Sequence, residues 1–173
     1  MKGNLLLGLD VGTGGCKAML VSPDGMVAGE CTSPYPLSTP KPLWSEQDPA
    51  GWWEALRPSI AGALERAGAA AARIAAVGLT GQMHGLVLLD RRGEPLRQAI
   101  LWNDQRCAHE CDMIHERLGV ERMIEITGKP ALPGFTAPKV LWVRGHAAGA
   151  PPASPARGRD GCARRGSPRG PAR

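Results

Sequence analysis

Residues 5–21, LLLGLDVGTGGCKAMLV, constrain the fold more than any other stretch of this chain. Two apolar segments flank a glycine-rich turn, so residues 4–9 and 16–21 read as strands joined tightly. No helical periodicity follows the glycines. That excludes the loops G-x-x-x-x-G-K-[ST] and G-x-G-x-x-G, both of which open a helix. What remains is strand, D-x-G-T-G-G, strand. Asp10 closes the first strand, and Gly12, Gly14 and Gly15 carry no Cβ, so the backbone can approach an anion and turn its N–H groups toward it. Thr13 adds a hydroxyl. An aspartate beside such a loop repels phosphate unless a cation lies between them, which points to Mg²⁺–ATP with Asp10 on the metal through water. A glycine-bearing hairpin with an incidental aspartate is the plain alternative.

The rest of the chain extends this start into a mixed architecture. Pro23, Asp24 and Gly25 make a second turn and Met26–Thr32 a third strand, giving an antiparallel meander. Pro34 to Pro42 is a proline-rich loop. A helix is expected from Asp48, a suitable N-cap, with Pro49 in its first turn and Gly68 as its stop. Trp52, Trp53, Leu56, Ile60, Ala63, Leu64 and Ala67 recur at helical spacing, which favours a core-facing stripe over a stacking platform for the tryptophans. IAAVGLT (74–80) reads as a buried strand, LVLLD (86–90) as another turning at Arg91–Glu94, and Ala99–Trp102 as a short third. Helices are expected at Asp104–Leu118 and at Val120–Thr127, the latter ending at Gly128. Strands first, then strands alternating with helices, indicate an α/β domain with a partly parallel sheet.

Two further segments carry candidate chemistry. TGQMHG (80–85) breaks off a strand between glycines, and strand ends in α/β sheets are where ligands bind. Gln82, Met83 and His84 offer an amide, a soft apolar surface and an imidazole, which suits a sugar or polyol; an ordinary loop is the alternative. ILWNDQR (100–106) places Trp102, Asn103, Asp104 and Arg106 before a helix, where Asp104 serves either as an N-cap or, with its neighbours, as a second wall for a hydroxylated substrate. Cys107, Cys111 and His115 share a helical face, but the outer two are about 12 Å apart along the axis at roughly 1.5 Å per residue, too far for one zinc ion.

Charge and cysteine content narrow the partners. Residues 145–173 hold six Arg and one Asp, while residues 1–144 hold 15 Lys plus Arg against 15 Asp plus Glu. The body is therefore neutral and gives no case for nucleic-acid binding. The last 29 residues include 24 of Ala, Gly, Arg and Pro and no Leu, Ile, Val, Met or aromatic residue, a composition that reads as a disordered tail. It is either a basic partner-binding tail or, as GC-rich codons suggest, out-of-frame translation. Five cysteines without framework spacing, and no export signal, favour reduced thiols in the cytoplasm. The run Leu5–Leu9 is too short to span a membrane.

Together GLDVGTGGCK (8–17), PLWSEQDPAGWW (42–53), GLTGQMHGLVLLD (78–90), AILWNDQRCAHEC (99–111) and ITGKPALPGFTAPKVLWVR (126–144) resemble the FGGY carbohydrate kinases, in order and spacing, over nearly all of residues 4–144. The pairing of Gln82-Met83-His84 with Trp102-Asn103-Asp104 is similar to the branch that acts on D-xylulose. The resemblance implies a ribonuclease-H-like, actin-type ATPase fold, with ATP and Mg²⁺ in a cleft between two domains and the γ-phosphate passing to the 5-hydroxyl of D-xylulose. It implies that Asp10 is the metal and phosphate-site aspartate, that Gly12, Thr13 and Gly14 form the phosphate loop, and that Met83 and His84 bind sugar with Gln82, Trp102, Asn103 and Asp104 around them. A related ketose or polyol is the alternative substrate, and a homodimer of the full-length protein is compatible with the family. The similarity stops near Arg144, so residues 1–144 are expected to be an incomplete first domain. Its six aspartates all fall in segments matched elsewhere, leaving no general base. The sheet is expected to end in an exposed apolar edge, and the chain is expected to be an inactive, at most sugar-binding, fragment.

Overall fold

The computed structural model describes residues 4–146. The expectation of a disordered tail therefore falls almost wholly outside the described residues; its first two positions, Gly145 and His146, close a helix.

Strands β1 (Leu5–Val11), β2 (Gly15–Val21) and β3 (Val27–Pro34) form the antiparallel meander read from the sequence. The two-residue strand β4 (Glu46–Gln47) leads into helix α1 (Pro49–Arg66), capped by Asp48, whose side chain accepts the Ala50 N–H at 3.0 Å. A short 3₁₀ turn then enters β5 (Ile74–Gly81), which lies parallel to β1, so the sheet order is β3-β2-β1-β5. Beyond it come β6 (Ala99–Ile100), paired with β4, and helices α2 (Ala108–Leu118), α3 (Val120–Thr127) and α4 (Thr136–His146). The α/β reading holds.

One face of the meander is the core. Leu5, Leu7 and Leu9 of β1 and Cys16, Ala18 and Leu20 of β2 are buried at every second position, as the period of a strand dictates. Helix α1 covers that face with Leu56, Ile60, Ala63 and Leu64. It lies so close that a Cβ on Gly29 of β3 would stand 2.4 Å from the Ala63 carbonyl oxygen. Only small residues fit that contact, and the fully buried line on the helix is Ala55, Ser59 and Ala63. The expected stripe is thus corrected at its start: Trp53 is 68% exposed, and Trp52 is half-buried with its indole N–H on Gln47.

Four other expectations change. β5 was expected to be buried but is exposed from Ala75 onward, with Leu79 at 73%, because it is the sheet edge and pairs with β1 alone. LVLLD forms only isolated bridges, Leu86 to Ile100 and Leu89 to Pro95, around a turn closed by Asp90. Helix α2 begins at Ala108 rather than Asp104, since the Asp104 carboxylate is engaged elsewhere. Helix α4 was not anticipated; its apolar and polar residues do not separate into faces. No helix among the described residues is long and apolar enough to cross a membrane.

The close approach at Gly29 gives a direct test. Gly29→Ala should lower stability by about 1–3 kcal/mol through overpacking. Gly78→Ala, where a Cβ meets nothing within 4 Å, should stay within roughly 0.5 kcal/mol of the parent chain. Urea unfolding of both variants checks the pair.

Candidate functional site

Parallel β1 and β5 end level, with Val11 opposite Gly81, so the loops that follow them emerge side by side at the carboxyl ends of adjacent strands. Between them lies a cavity of about 300 Å³. Gly12 and Thr13 line it from the β1–β2 turn, Gly81 through His84 from the end of β5, and Trp102 from the segment after β6. Two motifs 70 residues apart in sequence, Gly12 and Gln82, are thus parts of one site.

A polar brace fixes the walls. Gln82 donates both amide hydrogens inside the protein, to the Gly12 carbonyl at 3.0 Å and to Gln47 Oε1 at 2.9 Å, and its own oxygen accepts the Thr13 hydroxyl at 3.2 Å. Gln47 Nε2 donates to the Thr13 carbonyl at 2.5 Å, and Trp52 Nε1 donates to Gln47 Oε1 at 3.0 Å. Trp102 Nε1 donates to Thr13 Oγ1 at 3.1 Å, and the Tyr35 hydroxyl donates to the Gly12 carbonyl at 2.5 Å. Burial, then the charges of Cys16 and Asp10, push the Tyr35 pKa up to about 12, so the phenol stays a donor across the neutral range. Sequence reasoning missed Gln47 and Tyr35. Only the burial of a glutamine one residue before a helix cap would have marked Gln47, and burial is a property of the fold.

Met83 is 74% exposed and Trp102 49% exposed, so apolar surface faces the cavity. His84 holds φ +61°, a left-handed conformation rare for a residue with a side chain, and its ring meets Phe135 edge-on at 4.7 Å. Met83, His84 and Trp102 therefore come together as expected of site residues. Gln82 lines the cavity too, but its amide serves the brace more than any ligand. Asn103 and Asp104 do not join them. Asn103 lies on a second, more open cavity of about 530 Å³ with Lys41, Leu43 and Ser45. Asp104 is fully buried: it accepts the Ser45 N–H at 2.6 Å and the Arg106 guanidinium at 2.7 and 2.9 Å. Of the expected second wall Trp102 alone lines this cavity, and four hydrogen bonds, including the Arg106 N–H, occupy the Asp104 oxygens.

Asp104 belongs to a buried ionic cluster beneath Trp44 and Trp142. Arg106, with no exposed side-chain surface, also bonds Glu46 at 2.6 Å, and Arg97 reaches the same Glu46 oxygen at 2.7 Å. The Arg106 guanidinium lies 3.7 Å from the Trp44 ring centroid and 5.0 Å from that of Trp142. Burial alone lowers the Arg106 pKa, but its bonds to Asp104 and Glu46 outweigh that and leave it raised.

The phosphate-loop expectation fits the geometry. Among the described residues the N–H groups of Thr13 and Gly14 have no protein acceptor, and a Cβ on Gly14 would meet nothing within 4 Å. Gly15 is needed for another reason, since its Cβ would stand 2.7 Å from the Ser33 carbonyl. Asp10, opposite Thr80 of β5 and Lys17 of β2, is exposed and has no hydrogen-bond or ion-pair partner among the described residues. It does not line the cavity but stands beside the loop. A free carboxylate next to free amides and a space without side chains suits a hydrated divalent cation carrying a phosphate. The described residues contain no cluster of three or more His, Cys, Asp or Glu. Cys107 and His115 have other partners, the Pro133 carbonyl and the Ala131 N–H.

Comparison with known proteins agrees with this arrangement. Residues 5–151 match the family described as FGGY family of carbohydrate kinases, N-terminal domain. The chain is 44% identical over 146 residues to the xylulose kinase of Klebsiella pneumoniae, covering 83% of this chain and 29% of that protein. It is 44% identical over 142 residues to the xylulose kinase of Escherichia coli K12, covering 82% and 28%. A crystal structure of a xyloylose kinase from Brucella ovis matches with a TM-score of 0.78 and 40% identity over 84% of this chain and 30% of that one. The chain spans under a third of the length of these relatives.

The assignment of Asp104 to the fold rather than the cavity surface predicts a stability effect. Asp104→Ala leaves Arg106 buried with one partner fewer and should cost about 3–5 kcal/mol, against under about 1 kcal/mol for Arg122→Ala at the exposed Arg122–Glu125 pair. Urea denaturation followed by far-UV circular dichroism separates the two.

Proposed function

The chain belongs to the FGGY family of carbohydrate kinases, whose N-terminal domain it carries, and on that premise we propose that it forms the sugar-binding wall and the phosphate loop of an ATP-dependent kinase for D-xylulose. The observation that carries the reading is the single cavity joining Gly12 and Thr13 to Met83, His84 and Trp102. A sugar presents hydroxyls on an apolar ring or chain, and this cavity pairs an imidazole with thioether and indole surfaces. Xylulose kinases at about 44% identity favour a ketopentose over other polyols.

Each residue then has a role in phosphoryl transfer, where positioning and charge neutralisation are the main catalytic effects. Met83 and Trp102 pack on the carbon skeleton and exclude water from it. His84 orients a hydroxyl. The Thr13 and Gly14 amides hold phosphate oxygens, and Asp10 holds Mg²⁺ through water. Mg²⁺, when bound, neutralises charge on the phosphates of ATP. Gln47, Gln82 and Tyr35 keep the loop in place without touching substrate. Among the described residues no carboxylate lines the cavity in position to take a proton from a sugar hydroxyl, which withholds an acid–base contribution of typically about 10²–10⁴-fold. In this reading the chain by itself binds and orients but does not turn over.

Calorimetric titration of the 173-residue chain tests this. D-xylulose should bind with a dissociation constant on the order of millimolar, and His84→Ala should weaken it about tenfold, or roughly 1.4 kcal/mol. Asp10→Asn should remove Mg²⁺-dependent nucleotide binding and leave sugar binding unchanged. Equal affinity for glycerol would shift the assignment to a general polyol site. Formation of D-xylulose 5-phosphate from Mg²⁺–ATP by the purified chain would overturn the non-catalytic part.

A further inference from the structure

Lys139, in the first turn of α4, is fully buried. It forms no ion pair among the described residues. Its ammonium donates instead to two backbone carbonyls, Gly134 at 2.6 Å and His84 at 2.9 Å. Burial lowers its pKa, partly offset by nearby Cys107 and Asp104. A buried cation without a counter-ion is costly, and an apolar side chain would fill the same space more cheaply if packing alone were required. The charge is explained by what it holds.

One of the two carbonyls belongs to the strained residue of the cavity. His84 stays at φ +61° although it carries a side chain. Three groups from the start of α4 and the loop before it converge on it. The Lys139 ammonium and the Thr136 hydroxyl both donate to the His84 carbonyl, at 2.9 and 3.3 Å, and the Phe135 ring packs edge-on against the imidazole. The same segment touches the opposite wall: a Cβ on Gly134 would stand 3.0 Å from the Trp102 carbonyl oxygen. Residues 134–139 therefore bracket the cavity from behind, and Lys139 ties the bracket together.

We propose that Lys139 is a positioning residue for the Met83–His84 wall, its buried ammonium pinning the His84 carbonyl so that the turn stays left-handed and the imidazole faces the cavity. This rests on the reading of that cavity as a sugar site, and Lys139 acts through His84 without contact with sugar. The role differs from general support of the core, because α1 and the β1–β3 meander form the main apolar cluster without it.

The experiment is NMR on the isotopically labelled 173-residue chain, with D-xylulose as probe. A positive φ brings a residue's own amide and α protons close, so His84 should give a strong intraresidue cross-peak in the parent chain. In Lys139→Met that cross-peak should fall to the level of extended residues and D-xylulose affinity should drop about tenfold, while resonances of β1–β3 keep their positions. A folded Lys139→Met chain that retains the strong His84 cross-peak overturns the proposal. If Lys139→Met does not fold, Lys139→Gln gives the reading, since it removes the ammonium and shortens the side chain while keeping a polar group in the buried space. Exchange of the Gly85 amide, in the peptide unit of that carbonyl, should then quicken several-fold, and unchanged exchange overturns the proposal. A chain that shows the expected His84 change but binds no D-xylulose before mutation refutes the sugar-site reading and supports the positioning role.

Discussion

The register between β1 and β5 is the constraint on which the rest depends. Asp10 stands opposite Thr80 and Val11 opposite Gly81, so two parallel strands stop together. Leu5, Leu7 and Leu9 occupy the core face of β1 because side chains alternate along a strand. The buried leucines therefore fix the face of β1, and its pairing with β5 holds the two loops at hydrogen-bonding distance. Gln82 reaches the Gly12 carbonyl at 3.0 Å only because the strands beneath are level. Function here is a consequence of core packing one layer below the site.

The second half of the domain is held in a different way. Its fully buried apolar residues are few, Ala99, Ile100, Leu101 and Cys107 among them. Polar anchors take over. Arg106 joins Asp104 and Glu46 under two tryptophan rings, and Lys139 joins two loops through their carbonyls. Removing one partner from such a cluster costs more than the cluster contributes over an apolar replacement, since the remaining charge is stranded. What the ions supply is direction: guanidinium and ammonium groups fix loop geometry at stated atoms, which a greasy contact does not do. The walls of the cavity, made of loops, are where such direction is needed.

Much of this was legible in the sequence, and the failures have a common cause. The D-x-G-T-G-G hairpin, the Asp48 cap, the stop of α3 at Gly128 and the grouping of Met83, His84 and Trp102 rest on local patterns, and the structure shows them. Partners distant in sequence were not legible. Asp104 reads equally as a cap or a wall until Ser45 and Arg106 are seen to occupy it. Trp53 reads as core until Gly29 and Ala63 show that the helix lies too close for a ring. β5 reads as buried because its apolar run is continuous, yet it is the sheet edge. Helix α4 escaped because Lys139, which periodicity assigns to the surface, is buried.

Strain marks the same region independently of any motif. Among the described residues two with side chains adopt a positive φ, Leu43 at 66° and His84 at 61°; His84 lines the first cavity and Leu43 the second. Neither is relaxed by its local sequence, since no glycine or asparagine occupies the position. Each is held from outside, Leu43 by the Gln105 N–H on its carbonyl at 2.9 Å and His84 by Lys139 and Thr136. Such conformations persist only where surroundings over-determine them. Of these three donors Gln105 follows the Trp102–Asn103–Asp104 segment and Thr136 and Lys139 belong to the 134–139 bracket, so the strain at both cavities and the buried charges belong to one construction. That construction sits behind the Met83–His84 side of the cavity and leaves the Gly12–Thr13 turn to the glutamine brace, so the two sides are held by two sets of residues.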